Sequence, residues 1–462
     1  MMSAPNTGNL SLSPPANALP SAWAALSPSA REPLSRARAG DDLSDVLGEL
    51  PRRVVETHVS LVLAGERRVL KFKKPVDLGF VDHRTLAARW RSACQEVHLN
   101  ARLIEGVYLG LEVFFKDGRR ESLPPDLADP RQSPPEGAVE VAVVMRTLDE
   151  KRFLSSLIAS GEASAERHIQ PLAERVARFH QRQIEAARAG DGPAVSFERI
   201  EEGQILDNFA VLRQRAGDIL SPAARHALAK TEEASRAFLR SHRAALEERI
   251  REGFVVDGHG DLRAEHVCFA ADGTPGVYDC VEFSDELREE DILSDAAFLR
   301  MDLDFLGRGD LAEAFVRRYA EALSAALSEG FDAELLDFFA SYRAMVRAKI
   351  EILGALQGSD APEKIARAEE FLALASRYAR RLPQRVLIAV GGLMGSGKSS
   401  LAGFLEKQLR AEWLGTDALR REGGVSSAEG RQLGYGAGAY SAAERLRVYD
   451  VLLRRAEDAL GR

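Results

Sequence analysis

Two stretches of this 462-residue chain carry residues whose types and spacing suit phosphoryl chemistry. The first covers residues 255–283, VVDGHGDLRAEHVCFAADGTPGVYDCVEF. An apolar run leads into His259-Gly260-Asp261, and a second ends at Asp279. A carboxylate at Asp261 can orient a substrate hydroxyl, while one at Asp279 can hold a metal ion, as in kinase-type transfer. His266 is the fifth residue after Asp261, where H-R-D-x-x-x-x-N motifs carry a metal-binding Asn. Oxygen suits magnesium better than imidazole does, so His266 is read as a metal ligand, a phosphate contact or a support for Asp261. His259 is read as the hydrogen-bonding member of the catalytic segment. The simpler alternative for Asp261 and Asp279 is a pair of turn carboxylates.

The second stretch, GGLMGSGKSS at 391–400, fits the G-x-x-x-x-G-K-[ST] phosphate loop. Glycines allow backbone N–H groups to wrap phosphates, which makes Gly392, Gly395, Ser396, Gly397 and Ser400 nucleotide-binding candidates. Lys398 adds a charge and Ser399 offers a hydroxyl to magnesium. The apolar run VLIAV at 386–390 is expected as the strand that feeds this loop, and 400–409 as the helix that leaves it. Asp417, further on, is a candidate contact to the acceptor or simply a helix cap.

Other elements must position these groups. HVSLVLAGERRVLKF reads as two β-runs around residues 64–67, and the second run delivers Lys71. Residues 84–103 have helical periodicity and carry Glu96. A strand lysine paired with a helix glutamate is how kinase small lobes hold the α/β-phosphates. The alternative is a solvated lysine and a surface glutamate, and no glycine-rich kinase loop precedes Lys71. VEVAVVM at 139–145 is expected as a buried strand, with 146–150 as the connection where adenine binds. Leu172, Val176 and Phe179 mark a core-packing helix after Pro171. His168 and His180 are expected to be structural or exposed. On a helix over 291–305, Asp295, Asp302 and Asp304 either join the site or cap and solvate the helix. Arg343 and Arg347, four apart on another helix, either clamp an anionic substrate or pair with that acidic helix.

Composition limits the classes. With 45% hydrophobic and 29% charged residues, most of the chain should fold as globular protein. A formal charge of -8 argues against a general nucleic-acid binder. No apolar run approaches the ~20 residues of a membrane span, and the N-terminus lacks a signal-peptide pattern. Three cysteines without metal-ligand spacing fit a cytoplasmic location. Residues 1–45, rich in Ser, Pro and Ala, are expected to form a disordered tail.

Residues of about 50–370 resemble the aminoglycoside phosphotransferase-like branch of the kinase superfamily. The closest match is to bacterial two-domain proteins in which that module precedes a P-loop ATP-binding domain. The resemblance rests on ETHVSLVL, LKFKKPVDLGFVDHRTL, CQEVHLNARL, VAVVMRTL, GHGDLRAEHVCF, VYDCVEF, DAAFLRMDLDF and YRAMVRAKI. It departs from the HGDLH form at Arg263, and at His266 from the Asn of the wider superfamily. It implies a bilobal protein-kinase-like domain over 46–380, of α/β and α+β class. A P-loop NTPase parallel-sheet domain over 384–462, similar to zeta-toxin and polynucleotide kinase domains, would follow and is read as incomplete. The resemblance further implies ATP and Mg2+ as cofactors, a small-molecule acceptor, Asp261 as catalytic aspartate, Asp279 as metal aspartate, and Lys71 with Glu96 on the phosphates. A nucleotide-binding pseudokinase and a polynucleotide-kinase-like activity of the P-loop domain are the alternatives. The motifs name a reaction type and no acceptor.

Overall fold

The two β-runs around 64–67 close as a hairpin. β1 (Arg53–Glu56), β2 (Ser60–Ala64) and β3 (Arg68–Lys73) are antiparallel in sequence order. Helix α1 (Leu86–Ala101) follows, then β4 (Tyr108–Phe115), β5 (Arg120–Leu123) and β6 (Ala138–Arg146). The six strands form one antiparallel sheet of order β1-β2-β3-β6-β4-β5. The computed structural model describes residues 47–49, 52–57, 59–77, 81–327, 330–356, 360–382, 387–392, 395–409, 412–422 and 442–461. The tail expected over 1–45 lies outside them.

Alternation along β3 decides what each face carries. Leu70 and Phe72 pack with Leu61, Leu63 and Phe114 on one face. Val69 points the other way, toward Trp90, Cys94 and Val97 of α1. Because side chains two apart share a face, Lys71 and Lys73 also point toward α1. Helix α1 starts where Thr85 Oγ1 accepts the Ala88 N–H at 3.2 Å. Its buried face includes Arg89, Ala93, Glu96 and Asn100 at helical spacing, so polar groups are carried into the sheet–helix interface.

A largely helical part follows: α2 (Leu154–Ala159), α3 (Gln170–Ala186), α4 (Asp207–Ala216) and α5 (Pro222–Arg251). Leu172, Val176 and Phe179 are buried on α3, as their spacing predicts. Two small antiparallel pairs then interrupt the helices: β7 (Val255–Asp257) with β10 (Glu289–Asp291), and β8 (Val267–Phe269) with β9 (Pro275–Val277). Helices α6 (Ile292–Phe305), α7 (Gly309–Ala326), α8 (Ala333–Ala355) and α9 (Ala361–Ala379) complete this part. Helix α8 packs against α6 and α9. Asp291 and Asp332 cap α6 and α8 by accepting N–H groups of the first turn.

Contacts divide the chain into Met1–Ser235 with Arg243–Arg381, and Arg236–His242 with Leu382–Arg462. The second unit contains α10 (Lys398–Leu409), α11 (Thr416–Glu422) and α12 (Ala442–Gly461). The strand expected at 386–390 is not formed over its described part, 387–390. No described strand pairs with it, and Leu387 and Ile388 are exposed, so its backbone lacks the ladder that a strand needs. Among the described residues this unit therefore holds helices and no parallel sheet.

Candidate functional site

The site starts from the two lysines of β3. Lys71 Nζ lies 2.9 Å from Glu96 Oε1 and 2.8 Å from Asp279 Oδ1. Glu96 is fully buried and receives Lys73 Nζ on its other oxygen at 2.6 Å. Lys73 also bonds Glu282 and is itself excluded from solvent. Burial opposes the charge on Lys71, yet Asp279, Glu96 and Glu282 hold its pKa well above the ordinary lysine value. Burial likewise opposes ionisation of Glu96, and the two lysines overcome it, so its pKa is lowered. The expected Lys71–Glu96 contact is thus part of a larger chain, Asp279–Lys71–Glu96–Lys73–Glu282.

Helix α1 also fixes both loops of the site. Asn100 Oδ1 accepts the Cys280 N–H at 2.9 Å. Arg102 donates to the carbonyls of Asp257 at 3.0 Å and Gly258 at 2.9 Å. These contacts place the segments around Asp261 and Asp279 against the same helix that carries Glu96.

The loop after β7 is held from below by Asp295, on the first turn of α6. Asp295 Oδ2 accepts the His259 N–H at 2.8 Å, and Oδ1 the Gly260 N–H at 3.3 Å. His180 of α3 approaches Oδ2 at 3.2 Å through Nε2, and its Nδ1 meets the Tyr319 hydroxyl at 2.7 Å. All three side chains are buried. Burial pushes the Asp295 pKa up, but hydrogen bonding and charge from His180 bring it to about 2. Gly260 adopts φ +83°, and a Cβ there would lie 3.1 Å from both the Leu287 carbonyl oxygen and Val281 Cγ2, so glycine is required.

His259 donates from Nε2 to the Tyr278 carbonyl at 3.1 Å and accepts the Asp261 N–H on Nδ1 at 3.3 Å. It is therefore a neutral tie between the two loops, and burial lowers its pKa to about 4. Asp261 meets Arg263 through two bonds, Nε to Oδ1 at 2.6 Å and Nη2 to Oδ2 at 2.9 Å. Although burial opposes ionisation, Arg263 and His266 hold Asp261 well below the usual carboxylate range. The group is thus a fixed anion that orients donors, and a weak proton acceptor.

Asp279 follows β9 with φ 62°, a left-handed conformation found at no other described non-glycine residue. Its side chain is 40% exposed. Oδ1 is held by Lys71, while Oδ2 faces His266 Nε2 at 3.6 Å. Burial opposes its charge, but Lys71 and His266 keep its pKa well below the usual range. Asp279 Oδ2 thus has the chemistry and exposure of a cation ligand.

The structure brings Lys71, Glu96, His259, Asp261, His266 and Asp279 together. It separates Arg343 from the anion-clamp reading, because Arg343 is buried against Glu290 and its Nε donates to the Ser294 carbonyl at 3.3 Å. Its ion-pair partner Glu290 lies on β10, directly before the acidic helix it was expected to pair with, and from that helix it meets a backbone carbonyl. Arg347 lies 3.4 Å from Glu351 and stays within electrostatic reach of Asp261 and Arg263. Asp302 Oδ2 accepts the Ala264 N–H at 2.8 Å, which fixes the loop after Asp261, while Asp304 bonds Tyr378. Asp417 is exposed on α11 in the second unit. There Gly395 and Gly397 take φ 80° and 82° directly before α10, with Lys398 and Ser399 in its first turn. Ser396, Ser399 and Ser400 are exposed, and Gly392 has φ 155°.

Sequence reasoning missed the role of Lys73, whose parity with Lys71 on the strand was the available signal. It also missed the His180–Tyr319 support beneath Asp295. His180 sits one residue after Phe179 on a buried helix face, which reads as core packing and carries no mark of its partner.

No family model matches the chain. It is 36% identical over 415 residues, 88% of this chain and 76% of the relative, to the uncharacterized protein Mb2027c of Mycobacterium bovis. The same values hold for the uncharacterized protein Rv2004c of Mycobacterium tuberculosis. Similar solved structures include the GDP complex of wild-type aminoglycoside 2'-phosphotransferase-IIIa, 14% identical, covering 70% of this chain and 93% of that one, with TM-score 0.40. A Plasmodium vivax ethanolamine kinase is 11% identical, with coverage of 70% and 81% and TM-score 0.39. Choline kinase LicA from Streptococcus pneumoniae is 13% identical, with coverage of 72% and 96% and TM-score 0.36. By the mycobacterial identity, sustained over most of both chains, this chain belongs to the family of Rv2004c and Mb2027c.

Proposed function

We infer that the first unit is an ATP- and Mg2+-dependent phosphotransferase of protein-kinase-like fold that phosphorylates a hydroxyl of a small molecule. The observation that carries this reading is the chain Glu96–Lys71–Asp279 set beside Asp261, which joins a phosphate-holding cation, a cation-binding carboxylate and an orienting carboxylate. Lys71 would exchange part of its pairing with Asp279 for the α/β-phosphates, with Glu96 keeping it oriented. Asp261 would accept a hydrogen bond from the acceptor hydroxyl. Each of its oxygens spends one bond on Arg263, and a carboxylate oxygen has lone-pair capacity for another. Asp279 Oδ2 fits a hard divalent cation, which would neutralise charge on the transferred group. Positioning and charge stabilisation then supply most of the rate.

The second unit is proposed to bind a phosphate group at Gly395–Ser399, where left-handed glycines precede the N-terminus of α10. A cytoplasmic location fits the three buried, unpaired cysteines Cys94, Cys268 and Cys280. Among the described residues no helix is long and apolar enough to cross a membrane.

A second reading, a nucleotide-binding regulator without transfer, is favoured by the two-bond clamp of Arg263 on Asp261. Nucleotide binding and turnover measured in wild type and Asp261→Asn separate the two. Transfer reads as turnover that is lost in Asp261→Asn while binding persists. Binding without turnover in both proteins would establish the regulator.

A further inference from the structure

We propose that the acceptor is itself an anion, a hydroxy compound that also carries a phosphate or carboxylate group, and that Arg347 of α8 receives that group beside Asp261. The proposal deepens the phosphotransferase reading and rests on it for the reacting hydroxyl.

Arg347 comes to the site from an element other than the loop that carries Asp261. It stands one turn after Arg343 on α8, a helix packed against α6, and α6 holds that loop through Asp302 and the Ala264 N–H. Its guanidinium lies 5.6 Å from the centre of the Phe371 ring on α9, which steadies its position. Arg347 and Asp261 are close enough for each charge to shift the titration of the other.

The bonding of this arginine is incomplete. A guanidinium offers five N–H donors. The Arg347 side chain is 12% exposed, so water reaches little of it. Nε is buried and has no hydrogen-bond partner among the described residues. Nη2 donates to Glu351 Oε1 at 3.4 Å, longer than the usual range, and Arg367 Nε approaches the same oxygen at 3.7 Å. Arg343, one turn earlier, has the buried carboxylate of Glu290 against it. Burial and the Arg263 charge lower the Arg347 pKa, although Asp261, Asp302 and Glu265 pull it up.

The carboxylates nearby are committed elsewhere. Asp261 takes two bonds from Arg263, and Glu265 pairs with the same guanidinium. Asp302 accepts the Ala264 N–H, and burial raises its pKa, which weakens it as an anion. Two guanidiniums thus stand by the orienting carboxylate, and Arg263 is the one with close carboxylate partners. An anionic group on the acceptor would supply what Arg347 lacks, since phosphate and carboxylate both accept parallel N–H bonds from a guanidinium. A cationic acceptor would meet like charge at the same place. In the transfer, the acceptor oxygen bonds the γ-phosphorus as the bond to the ADP oxygen breaks, and the hydroxyl proton ends in water. Arg347 takes no part in those bonds and fixes the other end of the acceptor.

The test divides a metabolite extract on an anion exchanger into retained and unretained fractions, and incubates each with the full chain, γ-labelled ATP and Mg2+. The labelled product is expected from the retained fraction. Phosphatase treatment of that fraction, with the phosphatase removed before ATP is added, abolishes the acceptor where its anion is a phosphate and spares it where the anion is a carboxylate. Arg347→Gln should need at least ~10-fold more of the retained fraction for half-saturation, with the maximal rate changed less than ~3-fold, and Arg347→Lys should recover part of the loss. Nucleotide affinity by calorimetry checks that each variant is folded, and the wild-type fractionation stands as the test where one is not. A product made from the unretained fraction, or unchanged half-saturation in a folded Arg347→Gln, would overturn the anionic acceptor and leave the phosphotransferase reading standing. No product from either fraction would overturn both.

Discussion

Lys71 and Lys73 are two residues apart on one strand and face the same helix, but the structure gives them different work. Lys73 is excluded from solvent between Glu96 and Glu282, both buried. In Lys73→Met the volume is nearly kept and the ammonium is lost. Glu96 retains Lys71, whereas Glu282 loses its ion-pair partner. Removing one member of a buried pair costs about 3–5 kcal/mol, mostly from the charge left behind. In Lys71→Met the exposed carboxylate of Asp279 regains water, so the expected loss is about 1–2 kcal/mol. Unfolding of this part can be followed through Trp90, buried between α1 and the sheet, once Trp23 and Trp413 are replaced by Phe. With a urea dependence of about 2 kcal/mol per M, the midpoint should fall by about 1.5–2.5 M for Lys73→Met and by about 0.5–1 M for Lys71→Met. Adding Glu282→Leu to Lys73→Met should recover about 1–2 kcal/mol, because the stranded charge goes too. Nucleotide affinity should show the reverse order, with Lys71→Met the more damaging. A Lys73→Met protein within ~0.5 kcal/mol of wild type, or a larger stability loss in Lys71→Met, would refute the assignment.

Other outcomes follow from the loop supports. Gly260→Ala forces a side chain into a left-handed backbone against the Leu287 carbonyl, and should cost about 1–2 kcal/mol and cut turnover more than nucleotide affinity. Tyr319→Phe leaves His180 Nδ1 without its partner, and a stability loss of about 1–3 kcal/mol in urea titration is expected. His259 has a folded pKa of about 4 against an ordinary 6.5, so the folded state binds fewer protons between those values. Its contribution is present above pH 6.5 and is lost as pH falls toward 4, by roughly 3 kcal/mol in total. Stability measured across that window should drop in wild type and flatten in His259→Asn.

Much of the first unit was legible because its signals are local. The hairpin around 64–67, the helix bearing Glu96 and the buried strand at 139–145 each follow from periodicity and turn residues, and the sheet realises all three. The contact of Lys71 with Asp279, which spans the chain from residue 71 to residue 279, was not read from the sequence, where Lys71 was expected on Glu96 and only the resemblance put Asp279 in the same site. Lys73, His180 and Tyr319 stayed hidden for a physical reason. A buried polar side chain is recognised by its partner, and these partners lie far away in sequence. Arg343 shows the converse, a residue type suited to anion binding that tertiary packing spends on Glu290. The strand expected at 386–390 had the right composition, but a strand exists only with a neighbour to pair with, which residue order alone does not show.

The central claim is that Asp261 and Asp279 serve one phosphoryl-transfer site. It is tested most directly by incubating wild type, Asp261→Asn and Asp279→Ala with γ-labelled ATP, divalent cation and a metabolite extract, and separating the labelled products. The account predicts a labelled small molecule made by wild type and missing with both variants. A product formed equally well by either variant, or no labelled product from wild type that binds ATP, would contradict it.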